Sequence, residues 1–77
     1  MTVAAIEAFL NKRPFRAFHL VTASGESYKV PHPEFVTFSP SRRTCNVYGE
    51  DGEYFSTLDI FTITDIQPDG RPRGRRR

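Results

Sequence analysis

A proline at position 14 divides this chain into two periodicities, and no other feature restricts the fold as much. Before it, in MTVAAIEAFLNKR, Val3, Ile6, Phe9 and Leu10 recur at intervals of three and four, which puts them on one face of a helix. Thr2 stands where an N-cap is needed. Pro14 biases Arg13 away from helical geometry, so the helix must stop within Asn11-Lys12-Arg13. About two turns do not persist alone in water, and this helix must therefore lie against another element. After Pro14 the apolar residues alternate instead, which is the period of a strand.

In FRAFHLVTA, Phe18 and Leu20 share one face with Arg16 and Thr22, while Phe15, Ala17, His19 and Val21 share the other. Apolar groups on both faces predict cover on both, by the sheet core on one side and the helix on the other. Ser24-Gly25 supplies a hairpin turn and ESYKV returns. Pro31-His32-Pro33 interrupts the ladder, because neither proline can donate a backbone hydrogen bond. FVTFS follows, then a turn over Ser39-Pro40-Ser41-Arg42-Arg43, then TCNVY with Cys45 and Val47 inward. Asp51-Gly52 marks a second hairpin. EYFSTLDIFTITDI should break near Leu58 to Ile60 and end in a strand that uses Phe61, Ile63 and Ile66.

These segments describe a mainly β (α+β) fold with a short N-terminal helix and about five antiparallel strands. Residues 1–68 are expected to form the domain and residues 69–77 a disordered arginine-rich tail. An open sheet of this size leaves two edges exposed, so closure into a small SH3-like or Sm-like barrel is the favoured architecture, with an open α+β sandwich as the alternative.

With 77 residues, the chain can bury only about 60 per cent of the surface it exposes when unfolded. Disulfides and metals often compensate for so small a core. Neither is expected here, because Cys45 is the single cysteine and, with His19 and His32, does not make a zinc set of recognisable spacing. No cofactor motif appears. Self-association gains weight as the remaining source of stability. The N-terminus lacks the basic start and apolar core of a secretory leader, and no stretch approaches the ~20 apolar residues of a membrane span; a cytoplasmic protein without membrane contact is the expectation.

The stretch from Arg13-Pro14-Phe15 with Phe18, through Gly25 and His32-Pro33 with Phe35, to Asp59-Ile60 resembles a group of short uncharacterised bacterial proteins with an RPFxxF, glycine turn, HPxF and D-[IL] pattern. The resemblance covers residues 3–67 and implies no activity. A weaker likeness, in element order alone, is to Sm-like RNA-binding proteins; none of their pocket motifs is present.

Charge is the last guide. Residues 1–70 carry six basic and nine acidic side chains, a net −3, while the last seven residues add Arg71, Arg73, Arg75, Arg76 and Arg77. The tail's Gly-Arg-Pro is similar to the centre of the AT-hook, which lays an arginine-flanked backbone into a narrow minor groove, although Asp69 stands where the hook has an arginine. These five arginines, with Arg42 and Arg43 in their turn, are the candidate nucleic-acid contacts. His32 and Phe35 form a candidate partner loop. Tyr28, Tyr48 and Tyr54 are candidates for an exposed stacking surface. His19 reads as a packed, hydrogen-bonded histidine and Cys45 as a small core residue. Without a nucleophile fixed beside a base, the expected function is a noncatalytic binding module, not an enzyme, with nonspecific nucleic-acid binding through the tail. The alternative is a homo-oligomerisation or protein-protein interaction domain.

Overall fold

The computed structural model describes residues 1–69. One helix, α1 (Val3–Leu10), precedes six strands: β1 (Phe18–Thr22), β2 (Ser27–Val30), β3 (Val36–Phe38), β4 (Thr44–Tyr48), β5 (Phe55–Asp59) and β6 (Ile63–Pro68). All pairings are antiparallel, and they make two three-stranded sheets ordered β2-β1-β6 and β3-β4-β5.

Thr2 caps α1 as the sequence predicts, its hydroxyl accepting a hydrogen bond from the Ala5 amide at 3.2 Å. Val3, Ile6 and Leu10 are buried, and Phe9 meets Phe18 edge-on at 5.5 Å between ring centroids. This contact corrects the expected layering. Phe18, Leu20 and Thr22 form the buried face of β1, and α1 packs into the same core rather than behind it; His19 and Val21 on the other face are half-buried. One core joins the helix to both sheets, through Phe18, Leu20 and Val30 from the first and Val36, Cys45, Val47 and Leu58 from the second.

The chain passes between sheets at two corners. The first is the Pro31-His32-Pro33 interruption, where Pro33–Phe35 form a 3-10 turn. The second, Ile60–Thr62, is another 3-10 turn, and Asp59 begins it by accepting the Phe61 amide at 2.9 Å. The expected strand count of about five is thus six. Phe61 is also corrected: it lies in the turn, not the strand, and is 77% exposed, while Ile60 and Ile63 on either side are buried.

Gly25 (φ +91°) and Gly52 (φ +74°) occupy the two predicted hairpin turns in the left-handed region that glycine tolerates. In the β3–β4 turn that conformation falls on Arg42 (φ +61°).

Candidate binding groove between the two sheets

In antiparallel ladders, residues exchange both backbone bonds with their partner at alternate positions and turn them away at the others. In β2 the phase is set by the Thr22 amide, which donates to the Glu26 carbonyl at 2.9 Å. With Leu20 opposite Tyr28 and Phe18 opposite Val30, Tyr28 and Val30 turn their backbone groups toward β1. Ser27 and Lys29 turn theirs to the free side. In β5 the Gly49 amide donates to the Tyr54 carbonyl at 2.8 Å, so Ser56 and Leu58 face β4, and Phe55 and Thr57 turn outward. Both strands are sheet edges.

These two edges line a common groove. One part, of about 240 Å³, lies between Ser27, Tyr28 and Lys29 of β2 and the β4–β5 hairpin from Val47 to Ser56. A second part, of about 420 Å³, lies between the β1–β2 turn and Thr57, Leu58, Asp59 and Thr62, with Tyr28 bordering both. The groove gathers the three tyrosines that the sequence singles out. Tyr54 is 77% exposed and Phe55 55%, and the rings of Phe55 and Tyr48 lie 5.3 Å apart. So much aromatic surface in water is unusual for a domain that needs its aromatics for the core.

Electrostatics differ along the groove. Tyr28 donates its hydroxyl to Glu26 at 2.6 Å, a bond that raises its phenol above the ordinary value of 10.0. Lys29 lies 3.5 Å from Glu50 and 3.9 Å from Asp69. Asp69, placed by sequence in the tail, is held to the body as well: its amide donates to the Ala17 carbonyl at 2.8 Å, and its carbonyl accepts from Arg16 at 3.3 Å.

The other predicted residues fall elsewhere. Arg42 lies 3.0 Å from Glu7 and stacks over Phe38 at 5.7 Å, so its guanidinium serves to join the β3–β4 turn to α1. Arg43 is exposed, and its carbonyl accepts the Ile60 amide. Arg71, Arg73, Arg75, Arg76 and Arg77 lie outside the described residues. His32 is exposed and rests on the ring of half-buried Phe35 at 5.6 Å. His19 corrects its expectation: it is packed, but its Nδ1 is buried without a hydrogen bond, 3.8 Å from the Asp69 carboxylate. Cys45 is 1% exposed and burial pushes its thiol up to about 11. No group of three or more His, Cys, Asp or Glu among the described residues could hold a metal ion. No described helix is long and apolar enough to cross a membrane.

Most residues of the RPFxxF, HPxF and D-Ile pattern have structural tasks. Phe15 packs on Phe18 at 6.0 Å, Gly25 takes a positive φ, Phe35 packs against the core, and Asp59 caps the turn around buried Ile60. The groove aromatics Tyr48, Tyr54 and Phe55 stand outside it. One signal for them was available: strict alternation in FSTLD puts Phe55 on the same face as Thr57 and Asp59, opposite buried Leu58. Comparison with protein-family models, curated proteins and solved structures finds no match for this chain.

Proposed function

We propose that this chain is a noncatalytic binding module that receives an extended segment of another protein along the β2–β5 groove. The observation that carries this reading is the coincidence of two free strand edges with exposed Tyr54 and Phe55. An extended segment added to either edge gains main-chain hydrogen bonds, while alternate side chains reach the aromatic surface. The two sheets are then halves of a small SH3-like or Sm-like barrel left open at this groove, with the corners at Pro33–Phe35 and Ile60–Thr62 as the bends at which strands change sheets. The absence of catalysis is supported by the state of the reactive groups: Cys45 is sealed in the core with a raised pKa, and His32 lies against Phe35.

A test is selection from a displayed peptide library of mixed charge, with the full chain as bait and Tyr54→Ser with Phe55→Ser as the control bait. Peptides that bind the first and not the second support the reading. Equal recovery on both baits refutes it.

A second reading concerns the C-terminal arginines. The contrast between a body of net −3 and five arginines in the last seven residues favours a salt-sensitive contact with nucleic acid that is tolerant of sequence. It requires no site on the body and can coexist with the groove.

A further inference from the structure

Resting on the binding reading above, we infer that the segment taken up by the groove is basic, and that arginine is its preferred side chain. The argument is charge complementarity. Glu26, Glu50 and Asp59 line the groove, and Asp51 and Glu53 occupy the turn at its end. Among the described lining residues Lys29 is the one cation, and it is shared between Glu50 and Asp69. Three carboxylates against one ammonium give the described lining an acidic balance, which disfavours a nucleic-acid strand or an acidic peptide.

Carboxylates alone would accept any cation. The rings set beside them make the groove more selective, since a planar guanidinium can stack on an aromatic face while its edge donates to a carboxylate, and an ammonium cannot do both as well. Tyr48, Tyr54 and Phe55 border the same space as Glu50, so one arginine can meet both kinds of group. The outward backbone groups of Ser27 and Lys29 on one edge, and of Phe55 and Thr57 on the other, provide for the main chain of an extended ligand, and alternate residues of that ligand would point to the same wall. The occupant that fits is therefore an extended segment of a partner protein with arginine at every second position.

The test is fluorescence anisotropy with the full chain and a labelled nonapeptide alternating arginine with threonine, together with its lysine and glutamate versions. The expected order is arginine, then lysine, with no binding of the glutamate peptide. Glu50→Gln with Glu53→Gln, and separately Tyr54→Ser with Phe55→Ser, should each weaken the arginine peptide at least about fivefold, with the melting temperature nearly unchanged because these side chains are exposed. Equal or tighter binding of the glutamate peptide overturns the inference. If that binding is lost in the Tyr54 and Phe55 variant, the groove still binds segments and only their charge was misassigned. If no peptide binds either the full chain or a variant with the five C-terminal arginines replaced by glutamine, or if both groove variants bind as the parent does, the groove reading fails with it. Two further results overturn the assignment to a partner: a concentration-dependent doubling of mass abolished by Tyr54→Ser with Phe55→Ser, which makes a second copy the occupant, and peptide binding that emerges only once the five C-terminal arginines are replaced by glutamine, which makes it the chain's own end.

Discussion

Phe18 and Phe61 are the same residue type in neighbouring apolar runs, yet the fold assigns them opposite energies. Phe18 is fully buried, with Phe9 at 5.5 Å and Phe15 at 6.0 Å, and it joins the helix to the first sheet. Phe61 is 77% exposed on a 3-10 turn. Truncation of a buried phenylalanine to alanine costs about 3 to 5 kcal/mol, the lost transfer energy plus the cavity left behind. Against about 4 to 12 kcal/mol of total stability for 77 residues, Phe18→Ala removes a large share and can unfold the domain outright. Phe61→Ala should stay within about 0.5 kcal/mol, as surface changes do. Urea titration followed by far-ultraviolet circular dichroism reads both. Phe18→Leu, which keeps most of the apolar volume, provides a folded reference if the alanine variant is already unfolded without urea. A loss below about 1 kcal/mol at Phe18, or above about 2 kcal/mol at Phe61, would refute the placement of the core.

Cys45 should resist a thiol reagent in the folded protein at pH 8 and react fully in urea; fast labelling of the native state would contradict its burial. Its folded pKa of about 11 lies above the 9.0 of a free thiol, so the folded state holds the proton more tightly. That contribution is whole below pH 9 and is lost as pH rises through 11, by up to about 3 kcal/mol, and a Cys45→Ala variant should lack this part of the alkaline destabilisation. Thr2→Ala should lower stability by about 0.5 to 2 kcal/mol through loss of the bond to Ala5, measured as a shift in urea midpoint; an unchanged midpoint would remove the cap from the account. If all five C-terminal arginines meet phosphates, log affinity for duplex DNA should fall with log salt at a slope of about −4.5, and glutamine at all five should abolish retention on a DNA column; an unchanged slope would move the contact to the body.

The local elements were legible because each rests on a local cause: the spacing of Val3, Ile6 and Leu10, the cap at Thr2, the glycines of two hairpins, the prolines around His32. What the sequence hid depends on residues distant along the chain. Phe61 reads as a core residue in a run of alternating apolar residues, and the 3-10 turn that Asp59 caps there leaves it in water. The helix could have covered either face of β1, and the choice follows from Phe9 meeting Phe18. Arg42 reads as a free turn arginine until the fold brings Glu7 to it, 35 positions away in sequence. The groove was the least legible feature. Tyr28, Tyr48 and Tyr54 could be named as candidate surface aromatics, of which Tyr54 is exposed and the other two half-buried, but their place along one groove requires β2 and β5 to be edges of different sheets.

Amide hydrogen exchange on the full chain, with and without a saturating peptide, tests the open groove most directly. In the free protein the amides of Ser27, Lys29, Phe55 and Thr57, which turn to the free edges, should exchange at nearly the rate of unstructured chain, while Leu20, Tyr28 and Leu58 stay protected. On binding, the amides of at least one of the two edges should slow by about tenfold or more, since each new main-chain hydrogen bond must open before exchange. Protection of all four amides in the free protein would mean that the groove is already closed, and bound peptide that leaves both edges unchanged would contradict its use as a docking edge.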